Sequence, residues 1–169
     1  MNEEIRVYHL QMHEPPPGNS PPIPEGFRVI KITPPDPRVN ARFYREVGRP
    51  WSWRELLVWS EEDWTRVVDR PEFHTWVAKL NGDEVGYFEF EQQDGGDVEI
   101  VHFGLIDGFT GRGLGRIMLL EAIRVAWELP GTRRLWLHTC TNDHPGALEN
   151  YKRRGFELFK TEIKGKELP

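Results

Sequence analysis

Hydrophobic and polar residues alternate along several short segments of the chain, as they do in strands that are buried on one face. Turn residues separate some of these segments: the dipeptide Asn81-Gly82 suits the positive φ angles of a tight hairpin, and residues 94–97 include two more glycines. The predicted strands are residues 5–12, 27–32, 75–80, 84–92, 98–106, 134–139 and 156–162.

Helices are predicted between these strands, and the longest of them is amphipathic. Asp36 suits the N-cap position of the first helix, and Gly48 is expected to end it. Ser60 begins the second helix with a sequence that resembles a capping box, in which Asp63 takes the usual Glu or Gln place. The predicted helices are residues 37–47, a segment from residue 60 onwards, 114–128 and 145–154.

The order of these elements predicts the fold class. An antiparallel meander followed by strand, helix and strand gives an α/β mixed sheet with helices on both faces. Residues 5–12 are expected to be an accessory edge strand, and the prolines between positions 15 and 24 predict an extended linker. The chain is therefore divided into an N-terminal strand and proline-rich linker at 1–25 and one main domain at 26–169.

Composition narrows the classes of function. The net charge is −5 and no run of Lys and Arg forms a nucleic-acid footprint, so nucleic-acid binding is disfavoured. Cys140 is the only cysteine, which rules out an intrachain disulfide, and no metal site is predicted. The N-terminus lacks the basic and apolar regions of a secretory signal, and no apolar stretch is long enough to cross a bilayer. We therefore expect a soluble, cytoplasmic protein that does not bind a membrane.

A glycine-rich turn lies between a predicted strand and the longest predicted helix. Gly111, Gly113 and Gly115 leave backbone N–H groups unshielded at the positive end of the helix dipole, which suits an anion with two phosphates. The P-loop pattern is not met, because Leu114 follows Gly113 where a lysine is needed. The dinucleotide pattern is not met either, because it needs a glycine at Arg116.

Two segments together resemble a known family. Residues 110–115, Thr-Gly-Arg-Gly-Leu-Gly, resemble motif A (R/Q-x-x-G-x-G/A) of the GNAT superfamily of acetyl-CoA-dependent N-acetyltransferases, with Thr110 in the usual Arg or Gln position. Residues 144–157 resemble motif B of the same family, with His144 in the usual asparagine position and Asn142 as its substitute. The motif B residues in register are Ala147, Tyr151, Gly155 and Phe156.

The resemblance implies a GNAT fold, in which two central strands splay apart and the pantetheine arm of coenzyme A pairs with one of them. It implies acetyl-CoA as the co-substrate, and a backbone N–H near Leu105 that stabilises the developing oxyanion. Arg153 or Arg154 would contact the ribose phosphate. The residues implied to bind acetyl-CoA are Leu105, Ile106, Thr110, Gly111, Arg112, Gly113, Leu114, Gly115, Arg116 and Asn142.

Transfer to an amine also requires a base, because the acceptor is an ammonium ion at pH 7. Glu99 lies eleven residues before Thr110, the spacing of a glutamate base in some members of the family. Burial of Glu99 would raise its pKa toward neutrality. Glu89 and His102 are alternative bases, and bulk water is another.

Strand alternation places Glu99, Val101 and Phe103 on one face and His102 on the other, unless a bulge intervenes. Phe103 is therefore the aromatic residue expected beside Glu99. The resemblance makes Tyr151 the acid that protonates the departing thiolate, since the matching tyrosine lies near the sulfur of the coenzyme.

The resemblance implies that the acceptor is a primary amine on a small molecule or a peptide. The chain has seven tryptophans, several of them in the segment that walls the acceptor site in the family. Aromatic rings there would stack on the acceptor or bind it through cation–π contacts. The predicted acceptor-binding residues are Tyr44, Trp51, Trp53 and His102, with Trp59 and Trp64 in the same segment.

The sequence therefore predicts an N-acetyltransferase that works by direct transfer in a ternary complex. A covalent route through Cys140 is disfavoured, because no base is evident beside this strand residue. A non-catalytic acyl-CoA-binding regulatory module is the alternative from another class. A structural role is a third, in which the N-terminal strand could pair across a homodimer.

Overall fold

The computed structural model describes residues 4–18 and 22–164, and its strands form one seven-stranded sheet. The strands are β1 (Ile5–Met12), β2 (Phe27–Lys31), β3 (Phe73–Leu80), β4 (Asp83–Gln92), β5 (Asp97–Leu105), β6 (Arg134–Cys140) and β7 (Glu157–Lys164). The helices are α1 (Pro37–Gly48), α2 (Glu61–Val68), α3 (Leu114–Glu128) and α4 (Ala147–Arg153), with short 3-10 helices at Arg49–Trp51, Glu55–Val58 and Asp94–Gly96.

The sheet has the order β2-β3-β4-β5-β6-β1-β7, and all its pairs are antiparallel except β5 with β6. Neighbouring residues of β4 pack in hydrophobic clusters on opposite faces of the sheet. Phe88 packs in the cluster that includes α3 and α4, whereas Tyr87 packs against α1. The predicted α/β mixed sheet with helices on both faces is therefore confirmed. None of the helices in the described part of the chain is long and apolar enough to span a membrane.

Local turn and capping signals act as predicted. Asn81 and Gly82 have φ angles of 52° and 88°, as a two-residue hairpin turn requires. The Asp36 side chain accepts a hydrogen bond at the start of α1. Ser60 and Asp63 form both hydrogen bonds of the capping box at the start of α2.

Gly48 ends α1 as predicted, but without the left-handed geometry of a glycine C-cap. It is the last residue of α1, but its φ angle of −79° is right-handed, and the chain continues directly into a 3-10 helix. A Cβ atom on Gly48 would lie 2.4 Å from the Cβ of Trp53. A glycine is needed here because Trp53 packs directly on this turn, and not because the backbone is left-handed.

The predicted edge position of the N-terminal strand is wrong. β1 lies inside the sheet, with β6 on one side and β7 on the other. Both of its hydrogen-bonding edges are therefore occupied within the chain, and β1 has no free edge for pairing across a dimer. Residues 15–18 of the predicted linker line a cavity beside α3, and residues 19–21 lie outside the described residues.

A core substitution in β1 tests this arrangement. Leu10 is 0% exposed, so Leu10→Ala is expected to lower the free energy of unfolding by about 2–5 kcal/mol. Urea denaturation measures the loss. Ile163→Ala is the control, because Ile163 is exposed on β7 and its truncation should change stability by only about 0.5 kcal/mol. Equal effects of the two substitutions would contradict the burial of the Leu10 side chain in the core.

Candidate functional site

The parallel strands β5 and β6 pair over only three residues and then separate. Residues 97–99 of β5 pair with residues 134–136 of β6, and no pairing continues beyond Glu99 and Trp136. A cleft of ≈ 410 Å³, here called the strand cleft, is lined by residues 99–103 of β5 and 137–140 of β6. The predicted splay of the central strands is therefore present.

Leu105 and Ile106 were both predicted to offer their backbone to the coenzyme, and the structure leaves only one of the two available. The Ile106 N–H donates to the Val85 carbonyl at 2.8 Å, so the Ile106 amide is not available to a ligand, contrary to the prediction. Backbone groups alternate in direction along a strand, so the N–H and C=O of Leu105 face away from β4 and toward the cleft. Of the predicted pair, Leu105 alone can offer its backbone to a ligand.

The glycine-rich turn leads into α3 without a side-chain cap. Gly111 and Gly113 have φ angles of 76° and 77°, and a Cβ atom at either position would meet nothing within 4 Å. Gly113 is the N-cap residue of α3, and no side chain accepts a hydrogen bond from the first turn. The N–H groups at the positive end of this helix are therefore open to an anion.

A second cleft of ≈ 220 Å³, here called the turn cleft, brings several predicted residues together. Its lining includes Leu105, Thr110, Gly111 and Gly115 from the predicted coenzyme site. The turn cleft and the strand cleft share five lining residues, so the two clefts lie side by side. The shared residues are Trp51, Trp53, Phe103, Asp143 and Tyr151.

Other residues of the predicted coenzyme site lie outside the turn cleft. Gly113 and Arg116 line a neighbouring cavity beside α3, and the Arg112 guanidinium lies 5.7 Å from the centre of the Phe109 ring. Leu114 is buried in the core, so only its backbone can face a ligand. Asn142 lines the strand cleft, not the turn cleft.

The two arginines expected at the ribose phosphate lie elsewhere. Arg153 and Arg154 line a separate cavity with Trp127 and residues 15–18, and neither lines the turn cleft. The packing of the N-terminal segment against α3 is what gives them a different environment.

Tyr151 lies where the two clefts meet. It is 7% exposed, and its ring packs edge-on against Phe103 and Phe156. Burial raises the pKa of the Tyr151 phenol, and the negative charge of Asp143 raises it further. Like an ordinary tyrosine, whose pKa is about 10, the phenol is protonated at neutral pH and therefore has a proton to donate.

Aromatic rings form one wall of the strand cleft, as predicted for the acceptor site. Tyr44 and Trp53 pack against each other at 5.5 Å between ring centroids, and Trp51 packs edge-on against His144. Burial raises the pKa of the Tyr44 phenol, whose oxygen accepts a hydrogen bond from a backbone N–H. Trp59 and Trp64 line another cavity with Tyr44, outside the strand cleft, so they do not belong to this wall.

Asp143 is a site residue that the sequence analysis missed. Its carboxylate accepts hydrogen bonds from Trp53 Nε1 at 3.0 Å, from the Cys140 N–H at 3.1 Å and from the Thr139 hydroxyl. It thereby fixes the Trp53 ring to the loop after β6. Asp143 directly follows Asn142, which the sequence analysis did single out. Nothing local in the sequence indicates the contact with Trp53, because only the fold brings residue 53 to this loop.

A bulge in β5 changes the predicted faces. Glu89 pairs with His102 and the next residue of β4 pairs with Ile100, so Val101 is the extra residue. Ile100 packs in the core under α3, whereas Val101 packs against the cluster of α1 and α2. His102 therefore faces α1 together with Glu99.

Phe103 is displaced by the same bulge. It packs on the α3 side with Tyr151, so it is not the neighbour of Glu99 that alternation predicted. Glu99 accepts instead from Gln93 Nε2 at 3.1 Å, and His138 Nε2 lies 3.8 Å from its other oxygen. Burial raises the pKa of the Glu99 carboxyl, in the predicted direction.

This raised pKa predicts the pH dependence of stability for Glu99→Gln. A buried acid whose pKa is higher in the folded state than in the unfolded state costs stability when it is ionised. Glu99→Gln is therefore expected to be more stable than the wild type at pH 8, with a difference that shrinks as the pH falls to 4. Urea unfolding at both pH values measures it, and a variant that is less stable at pH 8 would show that the nearby histidines outweigh burial.

Cys140 lines the strand cleft, and burial raises the pKa of its thiol. At neutral pH the side chain is then mainly the thiol and not the nucleophilic thiolate. This agrees with the expectation that disfavoured a covalent route.

Comparison with known proteins gives the family. Residues 39–156 match the family model described as the acetyltransferase (GNAT) family. The chain belongs to the GNAT acetyltransferase family. A comparison of this GNAT chain with curated proteins found no match.

Solved structures share the GNAT fold. A GCN5-related N-acetyltransferase from Sphaerobacter thermophilus is 23% identical with a TM-score of 0.68, and the alignment covers 96% of this chain and 50% of that one. One from Kribbella flavida is 19% identical with a TM-score of 0.63, covering 95% and 58%. An IAA acetyltransferase from Bacillus cereus is 19% identical with a TM-score of 0.60, covering 79% of each chain. This chain spans about half the length of the first structures that it matches.

Proposed function

We propose that this chain is an acetyl-CoA-dependent N-acetyltransferase that transfers the acetyl group directly to a primary amine in a ternary complex. The observation that supports it most is that the two clefts lie side by side and share five lining residues. An open glycine-rich turn lies at one end, a buried tyrosine lies at the junction, and a face with carboxylates and histidines lies at the other end.

The residues present fit acetyl-CoA. The open N–H groups at Gly111 and Gly113 suit a diphosphate, and the free backbone edge at Leu105 suits an amide-bearing arm that would complete the unpaired part of β5. Thr110 and Gly115 would line the passage between them. When bound, acetyl-CoA supplies the acetyl group as a thioester.

The chain's own groups would carry the proton transfers. At pH 7 the neutral form of an amine with a pKa near 10.4 lies about 4 to 5 kcal/mol uphill, so a base must remove a proton. Glu99 and His102 both face the strand cleft and are the candidates. Tyr151 would protonate the leaving thiolate, and the Leu105 N–H would stabilise negative charge on the carbonyl oxygen.

The acceptor would occupy the strand cleft beside its aromatic wall. Tyr44, Trp51 and Trp53 present large faces there, which suit a small-molecule amine or a peptide amine with an apolar or cationic portion. His102 would lie at the inner end of this wall, since its ring packs against Tyr44 and Trp53.

Binding and turnover test the proposal in one experiment. Calorimetric titration with acetyl-CoA is followed by incubation with a panel of primary amines, and free thiol is measured against a sample without amine. Binding with amine-dependent thiol release is the expected result. Binding without release from any amine in the panel would instead favour a regulatory acyl-CoA-binding module, and no binding would contradict the coenzyme site.

A further inference from the structure

A buried carboxylate holds the histidine of the strand cleft. Glu89 is 1% exposed, and its Oε1 atom lies 2.6 Å from His102 Nδ1. Its Oε2 atom accepts a hydrogen bond from Asn40 Nδ2 at 2.5 Å. Asn40 is itself buried and also donates to the Thr75 hydroxyl at 2.8 Å, so α1 and β3 together fix the Glu89 carboxylate.

This pairing selects the tautomer of His102. A carboxylate only accepts hydrogen bonds, so His102 Nδ1 carries the proton that Glu89 accepts. The neutral imidazole then has its lone pair on Nε2, the ring nitrogen on the side away from Glu89. Among the described residues, none forms a hydrogen bond with Nε2, and His102 lines the strand cleft.

Packing also fixes the plane of the His102 ring. The Tyr44 ring lies edge-on at 5.3 Å between centroids, and the Trp53 ring lies at 5.4 Å. The bulge at Val101 turns His102 toward α1, where these rings are. A histidine with a fixed ring, a fixed tautomer and a free nitrogen in a cleft has the requirements of a general base.

Other titratable and charged groups line the strand cleft around His102. Tyr44 comes from α1, Glu99 from β5 and His138 from β6, and Glu89 pairs with His102 from β4. Arg54, Glu55, Cys140, Asp143, Tyr151 and Lys164 also line the cleft. The Glu89 carboxylate is the group in direct contact with the imidazole.

We propose that His102 Nε2 takes the proton from the acceptor ammonium, and that Glu89 is its positioning residue. One N–H bond of the ammonium breaks, its electron pair stays on the nitrogen, and an Nε2–H bond forms. The Glu89 carboxylate balances the charge of the imidazolium, which later loses the proton to water. The inference rests on the proposed function, because it needs an amine acceptor in the strand cleft.

Kinetics of matched variants test the base. His102→Gln and Glu89→Gln are each expected to lower kcat/KM about a hundredfold at pH 7.5, and the double variant should be no slower, since the two residues act as a unit. The difference in kcat/KM between the variants and the wild type should shrink toward pH 10, where the amine loses its proton without a base. Glu84→Gln is the control, because Glu84 lies on the same strand and pairs with Arg42 on the surface.

A tautomer measurement tests the pairing without turnover. Long-range ¹H–¹⁵N correlation spectra of the free protein, with His102 assigned by comparison with His102→Gln, should show the neutral ring protonated on Nδ1. In Glu89→Gln, Asn40 holds the amide oxygen and the amide NH₂ faces Nδ1, so the proton should move to Nε2.

The outcomes distinguish failure of the proposed function from failure of the proposed role of His102. No thiol release by the wild type would overturn the proposed function and, with it, the role of His102. Release by the wild type, with His102→Gln equally fast or with a deficit that is constant from pH 7 to 10, would overturn only the role of His102. A wild-type His102 protonated on Nε2 would also overturn it, and a pH-dependent loss in Glu99→Gln alone would assign the base to Glu99.

Discussion

Tyr151→Phe is expected to lower kcat by about a hundredfold and to leave the affinity for acetyl-CoA unchanged. The phenol lines both clefts and, like an ordinary tyrosine, is protonated at neutral pH. In the proposed mechanism, loss of the hydroxyl would remove the donor for the leaving thiolate without removing the ring. Steady-state kinetics and calorimetric titration measure the two quantities.

Tyr87→Phe is the matched control for this variant. Tyr87 is 0% exposed and stacks on Phe43 at 5.0 Å, and its buried hydroxyl has no hydrogen-bond partner among the described residues. Its removal should therefore leave both turnover and stability near those of the wild type. A wild-type rate for Tyr151→Phe would exclude the acid role.

Gly111→Glu is expected to abolish binding of acetyl-CoA at any concentration that calorimetry can reach. The substitution adds a carboxylate beside the open N–H groups, where a diphosphate would need positive potential, and it places a side chain at a φ angle of 76°. A folded protein without binding is the predicted result.

Gly95→Glu is the control for the strain of placing a side chain at a positive φ angle. Gly95 has a φ angle of 75° and a Cβ atom there would meet nothing within 4 Å, so the conformational cost of about 1–2 kcal/mol is the same. Gly95 lies in the turn before β5 and lines neither cleft. Equal affinity of Gly111→Glu and Gly95→Glu for acetyl-CoA would contradict the anion site.

Local signals account for what the sequence predicted well. The bounds of α3, Leu114–Glu128, are those predicted from amphipathic periodicity and the glycines before it. The hairpin at Asn81 and the capping box at Ser60 depend on neighbouring residues only, so their geometry follows from short segments. The glycine-rich turn also depends on a few consecutive residues.

Contacts between distant residues account for what could not be predicted. β1 pairs with residues more than 120 positions away, so its place inside the sheet has no local signal. The bulge at Val101 depends on the register of β4 against β5, and it decides that Glu99 and His102 share a face. The hydrogen bond between Trp53 and Asp143 likewise joins two loops that only the fold brings together.

Residue-resolved hydrogen exchange with and without acetyl-CoA tests whether the coenzyme lies along the splayed strand and the glycine-rich turn. The amides of Leu105 and Gly111 should exchange fast in the free protein and slow down together on binding, while the amide of Gly95 stays unchanged. Unchanged exchange at Leu105 and Gly111, or slowing confined to the cavity at Arg153 and Arg154, would contradict the account.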